Sequence, residues 1–211
     1  MNIFDDLSYQ YKKGGVSNKI IFWNIGAFLL SFFFYQFKLG VFNFPNGLPL
    51  DSSYQALIYQ PWTLITYAFL HTGFLHLFFN LMIFNYSSQL FLTFFSQKQL
   101  LGLYILSAIF AGLCFVGSYS LMDSSSKIVG ASGAVMAILV ATTTYRPLME
   151  VRLMFLGTIK LWYLTAIIVL VDAMQILVEN TGGHIVHIAG SIFGFIFVKL
   201  IVNGIDLSKI I

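Results

Sequence analysis

The chain has 211 residues, of which 58% are hydrophobic and only 9% charged, against roughly 45–50% and about 25% in soluble domains. That charge supply cannot cover a water-exposed surface. A soluble globular domain is therefore excluded, and the apolar runs spaced along the whole chain indicate several bilayer-spanning helices in one all-α, polytopic membrane domain. The net charge of +3 carries no nucleic-acid signal; its distribution along the chain carries more.

In chain order, residues 1–19 form a polar leader bearing Asp5, Asp6, Lys12 and Lys13. The long apolar run that follows has no small-residue cleavage site, so a first transmembrane helix fits it better than a removable signal peptide. Six spans are expected, at roughly Ile20 to Phe37, Phe74 to Phe95, Leu100 to Leu121, Gly130 to Tyr145, Leu161 to Val178 and Ile185 to Val202. Residues 20–203 are thus the membrane domain and 204–211 a short tail. An even number of spans puts both termini on one side.

With the N-terminus cytoplasmic, Lys12, Lys13, Lys19, Lys98, Arg146, Arg152, Lys160, Lys199 and Lys209 fall inside, and only Lys38 and Lys127 outside. Nine of eleven is a strong positive-inside bias. The outer connections then hold Asp51, Asp123, Glu179 and all four histidines, His71, His76, His184 and His187. The clustering points to one polar site near the outer leaflet. Cys114 is the sole cysteine, which rules out an intramolecular disulfide.

Two segments depart from plain spans. The outer connection from Phe44 to His71, with Tyr54, Tyr59, Pro61, Trp62 and Tyr67, is too apolar for a free loop and is expected to lie partly in the outer interface. The fourth span, at 1.5 Å per residue, reaches only about 24 Å and falls short of the roughly 30 Å hydrocarbon core. Its outer end is expected below the membrane surface, under a water-filled cavity, because polar groups survive at depth only where protein or water surrounds them.

Gly130-Ala131-Ser132-Gly133 sets a serine at a helix start, where unpaired N–H groups and the positive dipole end supply oxyanion-hole ingredients. The plain alternative is close helix packing by small residues. A serine hydroxyl needs a neighbouring base, and His187 is the candidate, opening the sixth span in Val186-His187-Ile188-Ala189-Gly190. Gly190 and Gly194 make a G-x-x-x-G face below it that lets the fourth span, with Gly133, Ala134 and Ala137, approach closely. His76 and Asn80, four apart on the second span, share a helical face. They either aim donors at one oxyanion or make an interhelical hydrogen bond of about 0.6 kcal/mol. Asp172 lies inside the fifth span, where a carboxylate is costly; a structural hydrogen bond to a neighbouring helix is expected, with a triad-acid role the minor alternative.

Together these residues resemble the rhomboid family of intramembrane serine proteases: His71-x4-His76-x3-Asn80 in the second span, Gly130-Ala131-Ser132-Gly133 opening the fourth, and His187-Ile188-Ala189-Gly190 with Gly194 in the sixth. The resemblance implies a six-helix rhomboid-like bundle with a laterally inserted first outer loop. It implies a dyad of Ser132 as nucleophile and His187 as general base and acid, with the oxyanion held by His76, Asn80 and the Ser132 backbone N–H. Asp172 receives no catalytic part. The implied reaction is hydrolysis of a peptide bond in or beside a substrate's transmembrane helix near the outer leaflet, with no cofactor and no metal. The partners are substrate helices, the lipid bilayer and cavity water, in a bacterial inner membrane with cytoplasmic termini and a site open to the outer side. Two departures stand out. Trp62-Thr63 replaces a frequent Trp-Arg, and Ser87, Ser88 and Leu92 replace a frequent glycine pair and glutamate.

Two other classes of function compete. A metal-binding carrier or channel could use the four outer histidines, although no H-E-x-x-H pair is present and Ser132 and the glycines go unexplained. A catalytically inactive relative that binds membrane helices would be expected to have lost Ser132 or His187; this chain keeps both.

Overall fold

The computed structural model describes residues 2–36, 39–122, 124–153, 157–176 and 180–211. Lys38, Asp123 and Glu179, and the expected span ends at Phe37 and Val178, lie outside the described residues. Helix dominates. The elements are α1 (Ile3–Lys13), α2 (Gly15–Ser31), β1 (Tyr35–Gln36), β2 (Val41–Phe42), β3 (Leu50–Asp51), α3 (Tyr54–Tyr59), α4 (Thr63–Thr66), α5 (Phe74–Leu92) and α6 (Gln97–Met122). They continue with β4 (Lys127–Ile128), α7 (Ser132–Tyr145), β5 (Glu150–Leu153), β6 (Gly157–Lys160), α8 (Leu161–Gln175) and α9 (Thr181–Val202).

The six expected apolar segments appear as α2, α5, α6, α7, α8 and α9. Of these, α2 extended by the 3-10 turn Phe32–Phe34, α6 and α9 are long and apolar enough to cross a bilayer. The segment Thr63–Phe69 joins α5 at a 97° bend and makes a fourth candidate if the pair counts as one span. With 14 residues in α7 and 15 in α8, these two are shorter. α7 extends only about 21 Å at 1.5 Å per residue, less than expected, because Gly130 at φ 135° cannot join the helix and Ser132 is its first residue.

Burial explains how a helix this short persists. α7 is apolar on every side and packs against α5, α6, α8 and α9, with Ala137, Ile138 and Ala141 fully buried. A helix that is apolar all round belongs at a core. α9 lies directly on it. A Cβ added at Gly190 would sit 2.0 Å from the Gly133 carbonyl oxygen, and one at Gly194 2.1 Å from that of Ala137. Only glycine fits where two backbones come this close.

α9 begins one turn earlier than the sequence suggests. His187 therefore does not open it but lies in its second turn, because Asn180 in the left-handed region (φ 47°) starts the helix at Thr181 and Gly182 and Gly183 are helical. The connection between α2 and α5 is likewise more ordered than a loop. β1 pairs with β2 and β3 with β4 (Leu50↔Ile128), which ties residues 50–51 to the segment leading into Ser132. Trp62 Nε1–H donates to the Gly47 carbonyl at 2.8 Å, and Thr66 Oγ1–H to that of Leu48 at 2.8 Å. Tyr54, Ile58, Tyr59 and Trp62 stay exposed. Between α7 and α8, β5 and β6 form an antiparallel hairpin that the sequence reading missed.

Where the chain departs from the pattern that the resemblance implies, the replacement side chains are hydrogen-bonded, one within its own turn and one between helices. The buried Thr63 hydroxyl donates to the Gln60 carbonyl (2.7 Å), and Ser88 Oγ meets Ser17 Oγ at 2.7 Å between α5 and α2.

Candidate active site

A cavity of about 590 Å³ opens among α5, α7, α8, α9 and the β4 segment, and Ser132, His187, His76, Asn80 and Asp172 all line it. The four side chains to which the resemblance gives catalytic parts thus share one space with the Asp172 that it leaves without one, whereas His71 and His184 stand outside the lining.

Ser132 enters from the first turn of α7. Val135 N–H is the first to close back, onto the Ala131 carbonyl at 3.0 Å, so the N–H groups of Ser132, Gly133 and Ala134 have no partner inside the helix. Gly133 touches α9 beside the histidine: its hypothetical Cβ lies 2.5 Å from Val186 Cγ1 and 3.1 Å from the Val186 carbonyl oxygen. The residues next to Ser132 and next to His187 are in contact, which sets the two side chains on neighbouring walls of the cavity. Ser132 Oγ and His187 are not hydrogen-bonded to each other in this structure. Catalytic hydrogen bonds often tighten only with substrate bound.

His187 is oriented from behind. Its Nδ1 is 2.9 Å from Asp172 Oδ1, and a carboxylate there fixes the tautomer with Nδ1–H donating and the Nε2 lone pair free. Asp172 is 7% exposed and belongs to α8, so this is the interhelical bond expected of it, made to the histidine that the sequence offers as a base. The same Oδ1 takes a second hydrogen bond from His184 Nδ1 at 2.7 Å. His184 is buried and outside the cavity lining.

On the opposite wall, His76 Nδ1 lies 3.1 Å from Thr72 Oγ1. With Thr72 donating, His76 Nε2 carries the proton and becomes a donor. Gly130 fills the gap: a Cβ there would be 3.1 Å from His76 Nε2 and 3.6 Å from Ser132 Oγ. A glycine at this position leaves open the space between His76 Nε2 and the serine, and lets the segment before α7 lie close to the His76 ring of α5. Asn80 gives one N–H to the His76 carbonyl at 2.9 Å and retains a second. His71 stands before α5, not within it; it is fully buried and its ring packs edge-on against His76, centroids 5.0 Å apart. At the rim, Lys127 Nζ reaches Asn46 Oδ1 at 2.6 Å.

The sequence pointed to Ser132, His187, His76 and Asn80 but missed the pairing of His184 with Asp172. A His-x-x-His spacing on one helix was the available signal.

Fold and site define a multi-pass helical membrane protein with an open cavity among its helices, largely apolar in lining, that a few polar side chains share. The Rhomboid domain family model matches residues 59–204, and the chain belongs to the rhomboid family, whose members are usually intramembrane proteases. No curated protein sequence matches the chain significantly.

Proposed function

We propose that this protein is an intramembrane serine endopeptidase that cleaves peptide bonds in or beside transmembrane helices of membrane-protein substrates. The observation that carries this reading is the convergence of Ser132, His187, His76 and Asn80 on one cavity. In the proposed reaction His187 Nε2 takes the Ser132 proton as Oγ attacks the scissile carbonyl. The negative charge then falls among the His76 Nε2–H, the free Asn80 N–H and the unpaired Ser132 N–H. His187 returns the proton to the leaving amine, and cavity water, activated the same way, hydrolyses the acyl-enzyme. No cofactor or metal takes part.

The proposed topology has six crossings, with α7, shielded by the helices around it, and the more exposed α8 both shorter than the core is thick. The termini are cytoplasmic, the cavity opens to the outer side of a bacterial inner membrane, and the first outer loop lies in the interface with Tyr54, Tyr59 and Trp62 outward.

The test is a panel of single-span substrates incubated with wild type and Ser132→Ala in detergent or liposomes, with cut sites mapped. Cleavage within or beside the span by wild type only is the expected result. Equal substrate binding by both proteins with no cleavage by either would assign the chain to the non-catalytic helix binders.

A further inference from the structure

One oxygen of Asp172 receives hydrogen bonds from two imidazoles, His184 Nδ1 at 2.7 Å and His187 Nδ1 at 2.9 Å. The two histidines stand three residues apart on α9, so they project from one face, and Asp172 meets them from α8. Donor atoms of all three residues lie within 4.8 Å of one another. Their side chains are only 10%, 23% and 10% exposed for His184, His187 and Asp172, yet the cavity that Asp172 and His187 line gives an ion a path inward. Two imidazole nitrogens and one carboxylate oxygen, with room for a water, are the donor set of an open tetrahedral zinc site.

We infer that Asp172, His184 and His187 form an inhibitory site for a divalent transition-metal ion of the zinc class. The inference rests on His187 being the base, as proposed above. Without metal, His187 donates Nδ1–H to Asp172 and keeps its Nε2 lone pair for the Ser132 proton. Metal ligation at Nδ1 uses the lone pair of that nitrogen, so the ring proton moves from Nδ1 to Nε2. The imidazole stays neutral and no proton leaves it, but Nε2–H can no longer accept from Ser132. His184 makes the same exchange of tautomer, and the carboxylate that accepted two N–H groups becomes the anionic ligand. The base is thereby silenced without anything filling the cavity. Magnesium and calcium, which seek several oxygen ligands, do not fit a two-imidazole site.

The test has two arms. In the first, Co²⁺ is titrated into metal-stripped Ser132→Ala protein, so that no proteolysis is needed. A visible absorption band saturating at one equivalent is expected, and it is lost when His184→Gln or Asp172→Asn is added, each variant first checked for an unchanged melting profile. In the second, cleavage of a single-span substrate by wild type falls at least tenfold with excess Zn²⁺, recovers on chelation and ignores Mg²⁺. His184→Gln, compared with its own metal-free rate, loses that sensitivity. A missing Co²⁺ band, a band indifferent to both substitutions, or cleavage indifferent to Zn²⁺ would each overturn the inference. A normal Co²⁺ band in a protein that cleaves no substrate would instead overturn the protease reading and, with it, the inhibitory role.

Discussion

Gly190 offers the sharpest mechanical test, because the spacing of two helices there controls the spacing of Ser132 and His187, the two side chains proposed to react. In Gly190→Ala the new methyl would begin 2.0 Å from the Gly133 carbonyl oxygen, 2.8 Å from its carbon and 3.1 Å from its Cα. All three are backbone atoms and cannot rotate away. Restoring ordinary contact at 3.4 Å requires α9 to retreat by about 1.4 Å, the difference of the two distances. Gly190 is three residues from His187 and Gly133 directly follows Ser132, so most of that retreat reaches the pair. Overpacking of this kind costs about 1–3 kcal/mol, and a displacement near 1 Å at a reacting centre about 10²-fold in rate. Turnover of a single-span substrate and thermal unfolding in detergent should therefore both fall, with turnover hit harder. Gly26→Ala, where nothing lies within 4 Å of the added methyl, is the matched control. If Gly190→Ala kept turnover within twofold and melted like wild type, the backbone contact between α7 and α9 would not be what sets the site.

Asn80→Ala should lower turnover by about 10²-fold while leaving the melting temperature unchanged, as for loss of one of several oxyanion donors; a collapse in stability with normal specific activity would recast Asn80 as structural. Asp206 offers a pH test remote from the cavity. The Ser208 hydroxyl donating to it at 2.6 Å, assisted by the Ser208 N–H and Gln99 Nε2, holds its carboxyl below the usual carboxylate range. Because the folded value is the lower one, this tether stabilises above about pH 4, the unfolded value, and weakens as pH falls through the folded value. Hydrogen exchange at Ser208, corrected for intrinsic rate, should show protection at neutral pH that is lost in acid and in Asp206→Asn; protection independent of both would refute it.

Much of this architecture was legible in the sequence because bilayer physics writes in long apolar runs and small-residue faces. Gly190 and Gly194 advertise a close helix contact in their own spacing, and Ser132 at the start of one such helix and His187 in the second turn of another stand out as polar groups. Other features were hidden. Whether Asp172 faces lipid, a helix or the cavity depends on the rotation of α8, whose apolar residues run around its whole circumference and mark no face. The start of α9 was obscured by Thr181-Gly182-Gly183, weak helix formers that tertiary contacts hold helical. There, a Cβ at Gly182 would fall 2.9 Å from Phe115, so packing on α6 overrides propensity. The β5–β6 hairpin did leave a trace in the alternating Glu150-Val151-Arg152-Leu153, with Val151 buried and Arg152 exposed and Gly157 at φ 71°. A four-residue alternation is too short to outweigh the apolar helices on either side.

The central claim is that Ser132 is a nucleophile activated by His187. A fluorophosphonate probe applied to the purified protein, with the adduct located by mass spectrometry, tests it without any knowledge of the substrate. The account predicts a single adduct on Ser132 that disappears in His187→Ala. An adduct elsewhere, or labelling of Ser132 that survives the loss of His187, would contradict it.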